Sequence, residues 1–227
     1  MNHCGRFGFY FGWVCASVLS PALAQPKLLT PMNAVSVSDE FPDYSQSVDG
    51  VAFNLAAKGF LTSSRSKRAT SVPLPRGFFV TAPSMHVSGP ELTIAYTGYF
   101  GGDAVSYVCL FNTSTALRKI WCRNTLPINM QVAIEADSIW VASWNSVERL
   151  HPKTGKLIWR NLDLSKAIGY DTRLGSVCFS ESDANTVYLQ ATASSGQSNG
   201  GFGITLDKVT GRMLSNVSQG YNKFCSQ

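Results

Sequence analysis

The chain has 227 residues, 44% of them hydrophobic and 15% charged, and a formal net charge of +5. Such a length holds one good-sized core or two small ones. The charge is too mild, and outside Arg65-Ser66-Lys67-Arg68 too scattered, to mark a nucleic-acid partner.

The N-terminus runs from Met1-Asn2-His3-Cys4-Gly5-Arg6 through an apolar stretch, Phe7 to Leu19, to Pro21-Ala22-Leu23-Ala24. This is the three-part pattern of a secretory signal, and it predicts cleavage after Ala24. The apolar stretch of 13 residues falls short of the roughly 20 that span a bilayer, and no later segment is long and uncharged enough to do so. The expectation is a signal peptide over 1–24 and a secreted, extracellular chain from Gln25 with no membrane span. Loss of Arg6 lowers its charge to +4.

Residues 25–76 read as an uncertain N-terminal segment or a degenerate repeat, with Val51-Ala52-Phe53 as a strand. Within them Arg65, Lys67 and Arg68 match the R-x-K-R pattern cut by furin-like proteases, and equally a solvated basic loop. Cleavage before Ala69 would leave only the repeats that follow.

Over 77–227 one pattern recurs. In its clearest copy, Val132-Ala133-Ile134, Ile139-Trp140-Val141-Ala142, Ser146-Val147-Glu148-Arg149-Leu150 and Leu157-Ile158-Trp159 read as four short strands. The turn His151-Pro152-Lys153-Thr154-Gly155-Lys156 joins the last two, with Gly155 free to take a positive φ. The next copy aligns Asp207-Lys208-Val209-Thr210-Gly211-Arg212 with that turn without a gap, and its second strand starts at Val187. The preceding copy places Phe78 to Thr81, Leu92 to Ala95, Val105 to Val108 and Lys119 to Trp121 in the four positions, with Ala116 where the glycine belongs. Second strands at Leu92, Ile139 and Val187 lie 47 and 48 residues apart. The fold class expected is all-β, with three to four propeller-like blades of four antiparallel strands.

Four cysteines follow the signal: Cys109, Cys122, Cys178 and Cys225. An even number in an oxidising compartment points to two disulfides, with three pairings open. None has the C-x-x-C spacing of a zinc or redox site. Pairing Cys109 with Cys122 sets Leu110 opposite Trp121 and Phe111 opposite Ile120, so the sulfurs face each other across adjacent strands. That leaves Cys178 for Cys225. Asn112-Thr113-Ser114 and Asn216-Val217-Ser218 are glycosylation acceptors in a eukaryotic host.

A four-strand unit carrying Ile139-Trp140-Val141-Ala142-Ser143 and Leu150-His151-Pro152-Lys153-Thr154-Gly155-Lys156-Leu157-Ile158-Trp159 resembles the blades of the quinoprotein-like (PQQ-type repeat) β-propellers. That family usually has aspartate where this chain has His151, and Asp207 restores it in the next copy. The resemblance implies sheets that bury both faces only by stacking on neighbours. Quinoprotein dehydrogenases hold their cofactor over aromatic and acidic groups, many with two adjacent cysteines beside it. The chain has no adjacent pair, so the likeness implies fold more than activity, and no cofactor is expected.

Other chemical signals are weak. Gly196-Gln197-Ser198-Asn199-Gly200 spells a G-x-S-x-G elbow, but it leads into a strand where the elbow needs a helix. His86, between prolines, and His151, at a turn, read as exposed loop residues. The expected role is therefore a secreted binding or scaffold protein that recognises a protein or glycan through its loops, with Trp144, Tyr99, Phe100 and Tyr170 as aromatic contacts. The alternative is a reduced quinoprotein-type oxidoreductase or another secreted enzyme. Self-association is left open.

Overall fold

The structure, a computed structural model, describes residues 44–48, 50–126, 131–143, 145–162, 164, 174–195 and 198–219. Trp144, Tyr170, Cys225 and the segment 1–24 lie outside them. Sixteen strands form among the described residues: β1 (Tyr44–Val48), β2 (Val51–Leu55), β3 (Phe60–Ser63), β4 (Ser66–Ser71), β5 (Phe79–Ser88), β6 (Glu91–Phe100), β7 (Asp103–Asn112), β8 (Arg118–Thr125), β9 (Gln131–Ile134), β10 (Ile139–Ser143), β11 (Ser146–Leu150), β12 (Leu157–Asn161), β13 (Leu174–Ser182), β14 (Thr186–Ser195), β15 (Ser198–Asp207) and β16 (Met213–Gln219). They pair strictly in chain order into four antiparallel four-stranded sheets. Residues 44–71 thus form a full first sheet, with Val51-Ala52-Phe53 in its second strand.

Stacking explains the burial pattern. Every residue of β10 is buried, as are Leu92 to Tyr96 of β6, so these central strands have apolar neighbours on both faces. Tyr44, Phe53, Leu55 and Leu61 of the first sheet pack on Val80, Ile94 and Tyr96 of the second. Ala95 and Val108 on the second sheet's other face meet Val132, Ile139, Val141 and Leu150 of the third. Trp140, Ala142, Val147 and Trp159 then meet Val187, Leu189, Ile204 and Leu206 of the fourth. Among the described residues no core cluster joins the fourth sheet to the first. The face of the first sheet that points away from the second carries Ser45, Ser47, Ala52, Asn54 and Thr62 and is mostly polar.

The sheets are joined by a recurring device. Trp121 of β8 donates its indole N–H to the carbonyl of Pro152, 3.0 Å away in the β11–β12 turn, and its ring lies against Gly155. Trp159 of β12 does the same one sheet on, reaching the carbonyl of Lys208 at 2.9 Å and covering Gly211. Both glycines have positive φ, 64° and 72°. A Cβ would sit 2.5 Å from Trp121 Cε3 at Gly155 and 2.4 Å from Trp159 Cε3 at Gly211. Glycine is therefore required twice over, by conformation and by space. The second sheet's turn has Ala116 instead, and among the described residues the Thr70 hydroxyl of β4 takes the tryptophan's place, bonding the Leu117 carbonyl at 2.7 Å. In β16 the place opposite Thr205, where Trp121 stands opposite Leu110, is taken by exposed Ser215.

The turns also expose a suboptimal residue. Asp207 accepts hydrogen bonds from the Thr210 hydroxyl and the amides of Val209 and Thr210, at 2.6–3.0 Å. The Thr210 hydroxyl, then its amide, hold the Asp207 carboxyl below its ordinary pKa. His151 has the same backbone bonds, its N–H to Lys156 O and Gly155 N–H to its own O, both 2.8 Å, but no carboxylate. His151→Asp should therefore raise the melting temperature at pH 7 by about 2 °C. A carboxyl with a depressed native pKa stabilises above its unfolded pKa, and that contribution is lost as pH falls through the native value. Melting curves of variant and parent should converge below about pH 4. An equal gain at pH 7 and in acid would rule out the carboxylate as its source.

Candidate functional site

The blades have two distinct ends. Hairpins β1–β2 and β3–β4 of each sheet, and their equivalents, lie at one; hairpins β2–β3 and their equivalents lie at the other, called the upper end below.

Aromatic side chains gather at the upper end of the first two sheets. Tyr99 and Phe100 close β6 beside the Gly101-Gly102 turn, 48% and 53% exposed. Because successive strand residues point to opposite faces, Phe100 leans toward the first sheet and Tyr99 toward the third. The Phe100 ring packs tilted against Phe78, which is half-buried, with 6.0 Å between the ring centres. Tyr99 sits opposite Phe79 in the β5–β6 register. Phe60, also exposed, opens β3 beside Gly59, and Leu74 contacts the sites of both Gly59 and Gly98. The Val80 amide bonds the Ala57 carbonyl at 2.8 Å, which ties the two tips together. The aromatic rim is thus backed by hydrogen-bonded strands. Of the four aromatic contacts expected from the sequence, Tyr99 and Phe100 are exposed; Trp144 and Tyr170 lie outside the described residues.

Beneath Tyr99 the upper part of the seam between the second and third sheets is polar. Thr81, Thr97, Ser106 and Thr125 stand opposite one another in register on all four strands of the second sheet, on its face toward the third. The Thr97 and Ser106 hydroxyls are 3.0 Å apart, and the Thr81 hydroxyl donates to the Thr97 carbonyl at 3.0 Å. Arg123 lies on the same face, one step below Thr125. The third sheet answers with Ser143, Ser146 and Glu148. Burial deepens inward, from exposed Tyr99 through half-buried Thr81, Thr97, Ser146 and Arg123 to buried Ser106, Thr125, Ser143 and Glu148. Glu148 is fully buried and is paired with Arg160 of β12, whose Nε donates to its Oε1 at 2.5 Å. Its Oε2 and the Nε of Arg123 are buried without a hydrogen-bond partner. Sequence reading missed this row, because each hydroxyl alone looks like the solvent side of an alternating strand.

The lower end holds other charged groups. Lys208 Nζ lies 2.9 Å from Glu135 Oε2, which also accepts the Trp140 indole N–H at 2.9 Å. Arg149 bridges Asp137 at 3.1 Å and lies 5.3 Å over the Trp140 ring. Burial tends to raise the Asp137 pKa, but the Ser138 hydroxyl and the two cations outweigh it and hold the carboxyl below its usual value. These groups are committed to one another across the third and fourth sheets, as a structural lock. A groove of about 410 Å³ beside them is lined by His86, Glu91, Ile134, Glu135, Pro152 and Lys153 among others. His86 is not the loop residue expected: it lies within β5 opposite Thr93, half-buried, and burial lowers its pKa. His151 is exposed at its turn. Among the described residues no three His, Cys, Asp or Glu side chains come together as a metal site.

The remaining residues fall as follows. Cys109 and Cys122 form a disulfide between β7 and β8, with Leu110 opposite Trp121. A bulge after Leu110 then puts Phe111 opposite Lys119, one place from the expected Ile120. Cys178 is also disulfide-bonded. Asn112 ends β7, its Oδ1 accepting the Ser114 amide at 2.9 Å, and Asn216 is exposed on the outermost strand β16. Arg65 and Arg68 are exposed, but Lys67 and Arg68 lie in β4, so the basic run is half turn and half edge strand. Ser198 pairs with Ser195 in the β14–β15 hairpin, which leaves no strand-to-helix elbow. No helix among the described residues is long and apolar enough to cross a membrane.

No model of a known protein family matches the chain, and a search of curated proteins finds no match.

Proposed function

We propose that the chain is a secreted binding protein that recognises a protein or glycan through the upper end of its stacked sheets. One observation carries this reading: Tyr99 and Phe100 stand about half exposed on a hairpin tip whose backbone is fixed by the β5–β6–β7 ladder. Large aromatics held rigidly in solvent lose little entropy on contact and supply much apolar area, which is why such residues dominate recognition surfaces. Extracellular residence rests on the leader pattern of residues 1–24 and agrees with the Cys109–Cys122 disulfide.

The test places a photoreactive amino acid at position 99 of the secreted protein and compares it with a Phe100→Ser version in the native culture medium, alongside a glycan array. A discrete adduct or array signal that the second substitution weakens about tenfold or more is expected. No adduct and no array signal, or signals indifferent to Phe100→Ser, would reject the reading.

A further inference from the structure

We infer that the upper part of the seam between the second and third sheets is a sugar-binding cleft, with Tyr99 at its lip and Glu148 and Arg123 at its base. This rests on the binding role proposed above and names the ligand class.

A seam between stacked sheets is expected to be apolar, with polar groups such as Gln46 in the first seam and the Glu135–Lys208 pair at the lower end of the third as exceptions. At the matching height the first seam has Leu55, Leu61 and Tyr96, and the third has Ala142, Val147, Ala191 and Phe202. The second seam is apolar only in its lower half, where Ala95, Val108, Val141 and Leu150 meet. Above them come the hydroxyl row Thr81-Thr97-Ser106-Thr125 and the facing Ser143, Ser146 and Glu148. Packing alone gives no reason for four consecutive strands to place hydroxyls at one level.

The two unsatisfied atoms then select the ligand. A buried polar atom without a partner is costly, more so if it is charged. Glu148 Oε2 lacks a donor and Arg123 Nε lacks an acceptor. A carboxylate or phosphate would supply the acceptor but be repelled by Glu148; a cation would meet Arg123. Arg160 is already engaged by Glu148 and frees no charge for an anion. A neutral hydroxyl does both, donating to the carboxylate and accepting from the guanidinium. A molecule with several hydroxyls and an apolar C–H face also suits the serine and threonine walls and the exposed face of Tyr99.

The experiment is isothermal titration of the full secreted protein with glucose, galactose, mannose, N-acetylglucosamine and the β-1,4-linked tetramers of glucose and N-acetylglucosamine. At least one should bind saturably. Arg123→Met, which removes an unsatisfied group and should fold, is expected to weaken it about tenfold, as loss of one charged hydrogen bond does. Thr97→Val should weaken it as well, whereas Val209→Ala, at an exposed site in the β15–β16 turn of the fourth sheet, should leave it within about twofold. Flat titrations throughout overturn the inference. So does binding that ignores Arg123→Met and Thr97→Val. If residue 99 still cross-links to a protein while every sugar fails, only the sugar cleft falls; if both fail, the wider reading falls with it.

Discussion

Gly211→Ala is expected to destabilise the protein by about 3 kcal/mol, an unusually large loss for one added methyl group. The new Cβ would lie 2.4 and 2.5 Å from Cε3 and Cδ2 of Trp159, well inside contact distance. The ring cannot simply retreat, because its N–H is held by the Lys208 carbonyl at 2.9 Å and its other side meets Trp140 at 5.7 Å. The backbone adds its own penalty, since φ is 72° and alanine there costs about 1–2 kcal/mol. Trp159→Ala alone should cost about 3–5 kcal/mol through the lost packing. Adding Gly211→Ala to it should then cost only the backbone strain, because the clash is gone. Urea midpoints of the four proteins measure this. Strict additivity of the two substitutions would show that ring and glycine do not touch.

Removing Arg160 should be the second severe lesion. Arg160→Met leaves the Glu148 carboxylate fully buried without its cation, a change that costs about 3–5 kcal/mol when a buried pair is broken. Arg160 is itself 35% exposed, so water reaches its end of the pair and the lower figure is the better expectation. The informative comparison is the double substitution Arg160→Met with Glu148→Leu. Replacing both members by apolar groups should restore most of the stability, since the penalty lies in the orphaned charge and not in the lost attraction. A double variant as unstable as Arg160→Met would mean that the pair itself, through its geometry, holds β11 to β12.

How much of this was legible in the sequence depended on whether a signal was local. Gly155 and Gly211, four residues before an alignable strand position, and Trp121 and Trp159, ending Ile-Trp pairs, mark turn and outer strand within about ten residues of one another. The third and fourth sheets were therefore readable, and Cys109 opposite Cys122 followed from the second sheet's hairpin. The first sheet hid because it lacks the marks: its outer hairpin closes between Ser63 and Ser66, and Thr70 replaces a tryptophan at its junction. His86 was misplaced because Pro83 and Pro90 bracket it. Pro83 in fact sits where the β5–β6 register shifts, between Thr81 and Ser84, a place where a strand tolerates proline. The hydroxyl row needed residues 81, 97, 106 and 125 to be brought level by three strand pairings. Neither composition nor period reveals that alignment.

The joints between sheets also give the molecule a direction. Each junction is made by a side chain of one sheet's last strand reaching the turn of the following sheet: Thr70 to Leu117, Trp121 to Pro152, Trp159 to Lys208. At these joints the reach runs one way, so each joined sheet has a giving side and a receiving side, as the links of a one-way chain do. Among the described residues the first sheet gives this joint and does not receive it, and the fourth, with Ser215 in the giving position, receives it and does not give it. A stack built this way has a polarity along the chain, set at each joint by which sheet supplies the side chain and which supplies the turn.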